Sequence, residues 1–180
     1  MKITKLFMVL ALMGVAETTF AQSEKDQKVM ADANDAKEML MEPEYGLTYF
    51  FDNSKGYAIF PNVGEGALII GGASGNGVVY EDGNPVGMAN LKKIDIGLQA
   101  GGQSVLEIIF FEDEAALDIF KDGEYELGAE LSATMLKRGA KASTSYSNGV
   151  KVFAKPKAGV MADLSVGGQK FEFTPMENMD

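Results

Sequence analysis

The chain has 180 residues, no cysteine, no histidine and a formal net charge of −10 at pH 7. This length favours one domain, which can bury a real core without disulfides. The missing residue types exclude a Ser-His-Asp triad, a Cys-His pair and a zinc site with His or Cys ligands. Catalysis would have to use carboxylate, lysine, tyrosine or hydroxyl groups.

The N-terminus has the features of a secretory signal peptide. Lys2 and Lys5 form a basic start, and the apolar stretch Leu6–Ala16 is too short to span a bilayer comfortably. Small residues precede Gln22, so cleavage after Ala21 is predicted, with a retained membrane anchor as the less favoured alternative. The protein is therefore expected to be secreted or periplasmic, where it could associate peripherally with the membrane. Without cysteine, attachment as a bacterial lipoprotein is excluded.

Two helices are predicted next. Ser23–Asp26 has the pattern of a capping box, and apolar residues then recur at helical spacing, so Glu24–Met41 is predicted to be an amphipathic helix. This helix carries five acids and three lysines, whereas membrane-surface helices favour Lys and Arg, so packing onto a sheet is the favoured role. Pro43 is predicted to open a second short helix that ends at Asn53-Ser54. The buried face of this second helix would be Leu47, Phe50 and Phe51.

Short apolar runs bounded by Gly, Pro and Asn predict a tightly curved sheet in the middle of the chain. Val105–Phe111 is the most apolar stretch after the N-terminus and is predicted to be a central strand. A hairpin turn is predicted at Asp82-Gly83-Asn84. The other predicted strands of this region are Tyr57–Phe60, Ala67–Ile70, Val78–Tyr80 and Ile94–Gln99.

The C-terminal part is predicted to return to the sheet after one short helix. Asp113 can cap a helix over Glu114–Lys121, with Ala116, Leu117 and Phe120 facing inward and Gly123 as its stop. Alternation from Leu127 predicts a long strand, and a helix remains the alternative for residues 127–138. Ser147-Asn148-Gly149 predicts a hairpin turn. The remaining predicted strands are Ala142–Tyr146, Val150–Ala154, Val160–Val166 and Lys170–Phe173.

These elements predict an α+β fold: a curved, glycine-rich, mostly antiparallel sheet or partial barrel with two N-terminal helices and one short inserted helix. The predicted organisation is a signal peptide at 1–21, a helical segment at 22–55, a β-rich domain at 56–174 and a mobile tail at 175–180.

Several motifs in one order resemble the SYLF domain family. They are GYAIFPNVGEG from Gly56, GGASGNGVVY from Gly71, GLQAGGQ from Gly97, EIIFFED from Glu107, residues 115–120, ELGA from Glu126, and residues 159–169. The similarity covers roughly residues 56–173. The resemblance implies a lipid-binding domain, which in some eukaryotic members also regulates actin. An exported protein would not meet the cytoskeleton of its own cell, so actin regulation is not expected.

The charges are unevenly distributed along the chain. Residues 104–130 contain nine acids and one lysine, whereas residues 131–162 contain six bases and no acid. An acidic protein with one purely basic segment can present a local anion site, and the alternative is a solvated face. The candidate head-group ligands are Lys137, Arg138, Lys141, Lys151, Lys155 and Lys157. Lys141 and Lys151 are predicted to lie on neighbouring strands, close enough to share one phosphate.

Three other features are weaker candidates. Gly71–Gly77 lacks the context of a phosphate-binding loop, and a connection between strands is the favoured interpretation. Glu112–Glu114 matches no calcium loop, and helix capping explains these acids. Glu107 lies within an apolar strand, where it would need a partner if buried, although strand alternation could place it in solvent.

The expected function is non-catalytic binding of a phospholipid or phosphoinositide-type head group. We expect a lipid or membrane surface as the partner, and no cofactor, metal or nucleic acid. The alternatives are an envelope structural or protein-interaction module and a hydrolase that uses carboxylates. The sequence does not indicate the lipid, a protein partner or the oligomeric state.

Overall fold

The computed structural model of the chain describes residues 24–64, 72–94, 104–123, 125–128, 131–139, 145–157 and 166–176. Residues 24–40 form helix α1, and a 3-10 turn over Pro43–Tyr45 leads into helix α2, Thr48–Asn53. Helix α3 is Glu114–Lys121. The strands are β1 Gly56–Val63, β2 Gly72–Glu81, β3 Asn84–Ile94, β4 Val105–Phe111, β5 Tyr125–Glu126, β6 Thr134–Met135, β7 Val150–Pro156 and β8 Gln169–Pro175.

The strands form one mixed sheet in the order β5-β8-β3-β2-β1-β4-β7-β6. Neighbouring strands run antiparallel, except for β6 and β7, which are parallel. The predicted α+β class with a curved, mostly antiparallel sheet is therefore confirmed. The second short helix begins later than predicted, because the chain first makes the 3-10 turn at Pro43 and then starts α2 at Thr48.

The sheet curls into a half-barrel. Gln169 of β8 donates a hydrogen bond from Nε2 to Oε2 of Glu107 in β4, at 3.0 Å. These strands are four positions apart in the sheet order, a separation of about 19 Å in a flat sheet at ~4.8 Å per strand. The ring of Phe171 in β8 likewise lies 5.5 Å from that of Phe60 in β1. Strong curvature alone brings these side chains together across the concave face.

Both faces of the sheet are covered, because the central strands alternate between two apolar clusters. In β4, Ile109 and Phe111 join the concave cluster with Leu117 and Phe120 of α3. Their neighbours Ile108 and Phe110 join the convex cluster beneath α1 and α2. A strand buried on both faces reads as one continuous apolar run, which is why β4 was predicted as central. Each of its residues is buried.

Helix α1 packs on the convex face, as favoured by its charge pattern. Ala33 and Leu40 have no exposed surface. The Tyr80 hydroxyl of β2 donates to Asn34 Oδ1 at 3.0 Å, and Lys37 Nζ lies 4.9 Å from the centre of the same ring. Tyr57 stacks on Tyr80 with ring centres 4.9 Å apart. Burial raises the pKa of each of these tyrosines to about 12.

The turns follow the predicted turn chemistry. Asp113 Oδ1 accepts a hydrogen bond from the amide of Ala116 at 2.9 Å, which confirms it as the N-cap of α3. Asn148 and Gly149 have φ angles of 50° and 76°, as a two-residue hairpin turn requires. Asp82 and Gly83, at φ angles of 49° and 81°, connect β2 to β3.

The long strand predicted from Leu127 is wrong, and so is the alternative helix. Only the two-residue strands β5 and β6 form here among the described residues 125–128 and 131–139. The alternating residues still share one face, because Leu127 and Ala133 are buried in the concave cluster and Leu131 and Met135 pack against it. Apart from Thr134–Met135, which pairs with β7, the described part of this stretch forms no strand.

Some predictions lie wholly or partly outside the described residues. These are the signal peptide and the strands Ala67–Ile70, Ile94–Gln99 after Ile94, Ala142–Tyr146 before Ser145 and Val160–Val166 before Val166. Ser145 and Tyr146 are not in a strand. Of the predicted tail, Pro175 ends β8, and the Met176 amide donates to the Val86 carbonyl at 3.0 Å.

Candidate functional site

The five predicted head-group ligands that the structure describes lie in different parts of the fold. Lys137 and Arg138 lie beside the 3-10 turn, whereas Lys155 and Lys157 lie at the end of β7. Lys141 lies outside the described residues, so its predicted pairing with Lys151 stays a prediction. Lys151 is half-buried in β7, with its Nζ 5.5 Å from the centre of the Phe153 ring.

Arg138 is engaged by its own protein. Its guanidinium lies 3.4 Å from Glu44 Oε2 and 3.6 Å from Glu42 Oε2. A hydrogen bond with Tyr45, followed by the Coulomb attraction of Glu44, raises the pKa of Arg138. The amide of Gly139 also donates to the Glu44 carbonyl at 2.8 Å. Arg138 therefore pairs with the 3-10 turn, while its side chain remains 63 % exposed.

Lys155 and Lys157 instead reach a groove between helix α1 and one end of the sheet. The groove has a volume of about 430 Å³. Register explains the position of Lys155, which pairs with Leu106 of β4 on the face beneath α1. The groove is lined by Lys28, Asp32, Asp35, Ala36, Met39, Pro61, Asn62, Leu106, Lys155 and Lys157.

Asn62 organises one side of this groove. Its Oδ1 accepts hydrogen bonds from Lys157 Nζ and from Ser104 Oγ, the latter at 3.4 Å. Its Nδ2 donates to Asp32 Oδ2 on α1, also at 3.4 Å. The Lys157 backbone amide donates to the Ser104 carbonyl at 2.9 Å. These contacts hold the chain after β7 against β1 and α1, so that the two lysines stay at the groove.

The groove contains both signs of charge. Lys28 Nζ and Asp32 Oδ2 form an i,i+4 ion pair at 2.8 Å along α1. Within the part of the chain that the structure describes, neither Lys155 nor Asp35 forms an ion pair with any residue. Lys157 contacts Asn62, which is neutral. Three cations and two carboxylates thus surround a lining that also includes Met39, Pro61 and Leu106.

Sequence reasoning missed Lys28, Asp35 and Asn62 as parts of this site. Lys28 and Asp35 were counted only among the charges of the first predicted helix. The docking of α1 on β1 and β4 brings them to residues more than ninety positions later in the chain. A helical charge pattern alone carries no signal for such a meeting.

The predicted loop Gly71–Gly77 is wrong where the structure describes it, since residues 72–77 lie within β2. The need for glycine comes from the close approach of β1. A Cβ at Gly77 would lie 2.5 Å from the carbonyl oxygen of Ile59. This stretch is therefore a strand packed tightly against its neighbour, with no cradle for phosphate.

Glu107 and Asp113, the acidic residues that a carboxylate-based hydrolase could use, both have structural roles. Asp113 caps α3, and Glu107 is only 1 % exposed and is bonded to Gln169, which is 3 % exposed. The suggestion that Glu107 faces solvent is wrong, because both faces of β4 are covered. The described residues contain no group of three acidic side chains placed to hold a metal ion.

Among the described residues, no helix is long and apolar enough to cross a membrane. Comparison with family models matches residues 92–180 to Ysc84, described as "Las17-binding protein actin regulator". This match covers 89 of the 180 residues and confirms the resemblance to the SYLF family that the motifs indicated. Comparison with curated proteins finds no match to the chain.

Proposed function

We propose that the protein binds phospholipid without catalysis, with the head-group phosphate held at the groove between α1 and the ends of β1, β4 and β7. The observation that carries this proposal is the convergence of Lys28, Lys155 and Lys157 on one groove beside apolar side chains. Lysines are suited to phosphate as compact cations with rotatable donors. The motifs of the SYLF type support a lipid ligand.

The charge of the whole chain makes this local arrangement informative. A protein with a formal net charge of −10 repels anions at long range. An anionic head group therefore needs a place where cations outnumber acids, and the groove has three lysines against two aspartates. Each basic residue near an anionic membrane surface contributes on the order of 1 kcal/mol to binding. Two lysines at the end of β7 thus supply about 2 kcal/mol.

The six predicted head-group ligands are not expected to contribute equally to binding. Arg138 is held by Glu42 and Glu44, so its contribution to an external anion is expected to be small. Lys155 and Lys157 are the main ligands, and Lys28 adds a third cation although it is shared with Asp32. Binding by this set weakens as salt rises beyond about 0.1 M, where the screening length is ~10 Å.

We also propose that the protein acts outside the cytoplasm, following cleavage after Ala21. The family description names an actin regulator. An exported protein does not meet actin in its own cell, so we propose that lipid binding, and not actin regulation, is the function here.

The test is co-sedimentation with vesicles that contain phosphatidylethanolamine and phosphatidylglycerol. The double variant K155E/K157E is compared with K137E/R138E, which makes the same change in charge within the same basic segment. The first variant should lose at least tenfold in affinity, because two contributions of about 1 kcal/mol each are removed and reversed. The second should lose much less. Equal effects of the two variants, or binding that ignores salt, would contradict a site at the groove.

The non-catalytic part of the proposal rests on the positions of Glu107 and Asp113. A carboxylate buried in the concave core cannot reach a substrate, and one that caps α3 already accepts a backbone hydrogen bond. Assays of the purified protein on ester, peptide and glycoside substrates should give no turnover. Reproducible turnover lost on E107Q or D113N would support the hydrolase alternative instead.

A further inference from the structure

We propose that the groove selects a zwitterionic head group that carries a phosphate and a primary ammonium, as in phosphatidylethanolamine. This inference rests on the proposed function and names its ligand class. The observation behind it is that Lys155 and Asp35 line one groove with opposite charges, and neither forms an ion pair within the described residues. A purely anionic head group would leave Asp35 beside a like charge.

The two aspartates of the groove have different surroundings. Asp32 Oδ2 already accepts hydrogen bonds from Lys28 at 2.8 Å and from Asn62 at 3.4 Å. Asp35 is exposed, one helical turn further along α1, and makes no hydrogen bond among the described residues. Asp35 is therefore the carboxylate with capacity for an external ammonium, whereas Asp32 serves to position Lys28 and Asn62.

The lining distinguishes a primary ammonium from a quaternary one. A primary ammonium has three N–H donors for carboxylate and amide oxygens, whereas trimethylammonium has none. Quaternary ammonium groups are recognised by aromatic rings, and none of the described residues that line the groove is aromatic. The donor and acceptor set of the groove therefore fits ethanolamine better than choline.

The apolar residues of the groove can contact the part of the ligand beyond its head group. Met39 and Leu106 belong to the convex cluster and line the groove together with Pro61. Leu106 and Pro61 are buried, so the half-buried Met39 offers most of the non-polar surface to the carbon atoms that follow the phosphate. The proposed ligand is a phosphoethanolamine group with a carbon chain attached to its phosphate. Either a membrane lipid or its soluble deacylated form could supply this ligand.

The experiment measures binding to three kinds of vesicle at matched mole fraction in phosphatidylcholine. They contain phosphatidylethanolamine, N-acetylated phosphatidylethanolamine or phosphatidylglycerol. The acetylated lipid keeps the phosphate and removes the ammonium. The parent protein should bind the first vesicle at least threefold more tightly than the other two, because only the first lipid has an ammonium that can pair with Asp35. Soluble glycerophosphoethanolamine should compete if the head group alone is recognised, and failure to compete assigns recognition to the membrane-embedded lipid.

The variant D35N removes the charge of Asp35 with almost no change in shape, and it should abolish the preference for the ethanolamine lipid. E38Q is the matched control on an exposed position of the same helix and should keep the preference. A preference unchanged in D35N, or a parent protein with no preference, would overturn the inference. If K155E/K157E still weakens binding in either case, the proposed lipid site stands. If that double variant has no effect, the proposed function fails as well.

Discussion

The substitution Gln169→Leu tests the hydrogen bond that spans the half-barrel. It removes the Nε2 donor that lies 3.0 Å from Glu107 Oε2, while the leucine keeps most of the buried volume. Both residues are almost fully buried, at 3 % and 1 % exposure, so water cannot replace the lost donor. Removing a hydrogen bond from a buried acceptor costs about 1–3 kcal/mol, and more when the group is charged. We expect a loss of about 2 kcal/mol in the free energy of unfolding.

Urea denaturation and thermal unfolding of the parent, Q169L, E107L and the double variant provide the assay. A loss of about 2 kcal/mol lowers Tm by about 4–8 °C for a chain of this size. The double variant should recover most of the stability, because replacing both members of a buried polar pair by apolar groups is often neutral or stabilising. The coupling energy of the cycle should be at least about 1 kcal/mol. Additive losses would show that Glu107 and Gln169 are not coupled.

Three further outcomes are expected. Because burial raises the pKa of Tyr57 and Tyr80 to about 12, the folded state holds their protons more tightly than the unfolded state does. Their stabilising contribution is therefore complete below about pH 10 and is lost as pH rises towards 12, which urea midpoints and tyrosinate absorbance can follow. Gly77→Ala should destabilise the fold by about 1–3 kcal/mol, since the added Cβ would lie 2.5 Å from a backbone oxygen of β1, whereas Ser74→Ala in the same strand should change stability little. Mass analysis of exported protein should find an N-terminus at Gln22, and an intact Met1 would contradict the signal peptide.

The parts of the fold that depend on local chemistry were predictable. The apolar run of β4, the cap of α3 at Asp113 and the turn at Asn148-Gly149 all follow from residues that are close together in sequence. The curvature of the sheet was predictable in kind, because glycine-rich strands bend and tolerate close neighbours. Its degree was not, since it depends on contacts such as Phe60 with Phe171 across the concave face.

The failed predictions concern long-range partners. Alternation along a strand does not show which face of the sheet is covered by other elements. Both faces of β4 are covered, so Glu107 is buried, and its partner Gln169 lies 62 positions away in the sequence. The pattern from Leu127 predicted a long strand, and within the described part of this stretch only the two residues of β6 pair with a neighbour, β7. Small and apolar residues in alternation specify burial, and hydrogen-bonded neighbours decide whether a strand forms.

The charge pattern of the candidate site could be predicted from the sequence, but the position of the site in the fold could not. Six bases without an acid indicated an anion site, and two of them, Lys155 and Lys157, lie at the groove. Arg138 was predicted as a ligand without regard to its partners Glu42 and Glu44, which lie almost a hundred positions earlier in the chain. The acids that neutralise a basic segment need not be near it in sequence.

The order of the strands along the chain determines when each edge of the sheet becomes paired during protein synthesis. Strands β1, β2 and β3 form a meander of consecutive hairpin partners, so this part can assemble from local pairings. The outer side of β3 stays unpaired along Gly87–Lys93 until β8, the last strand, has left the ribosome. An unpaired edge is a template for other chains, so incomplete chains that end before Gln169 expose seven residues of β3 to intermolecular pairing. Export in an unfolded state, followed by folding of the complete chain, would remove that period of risk.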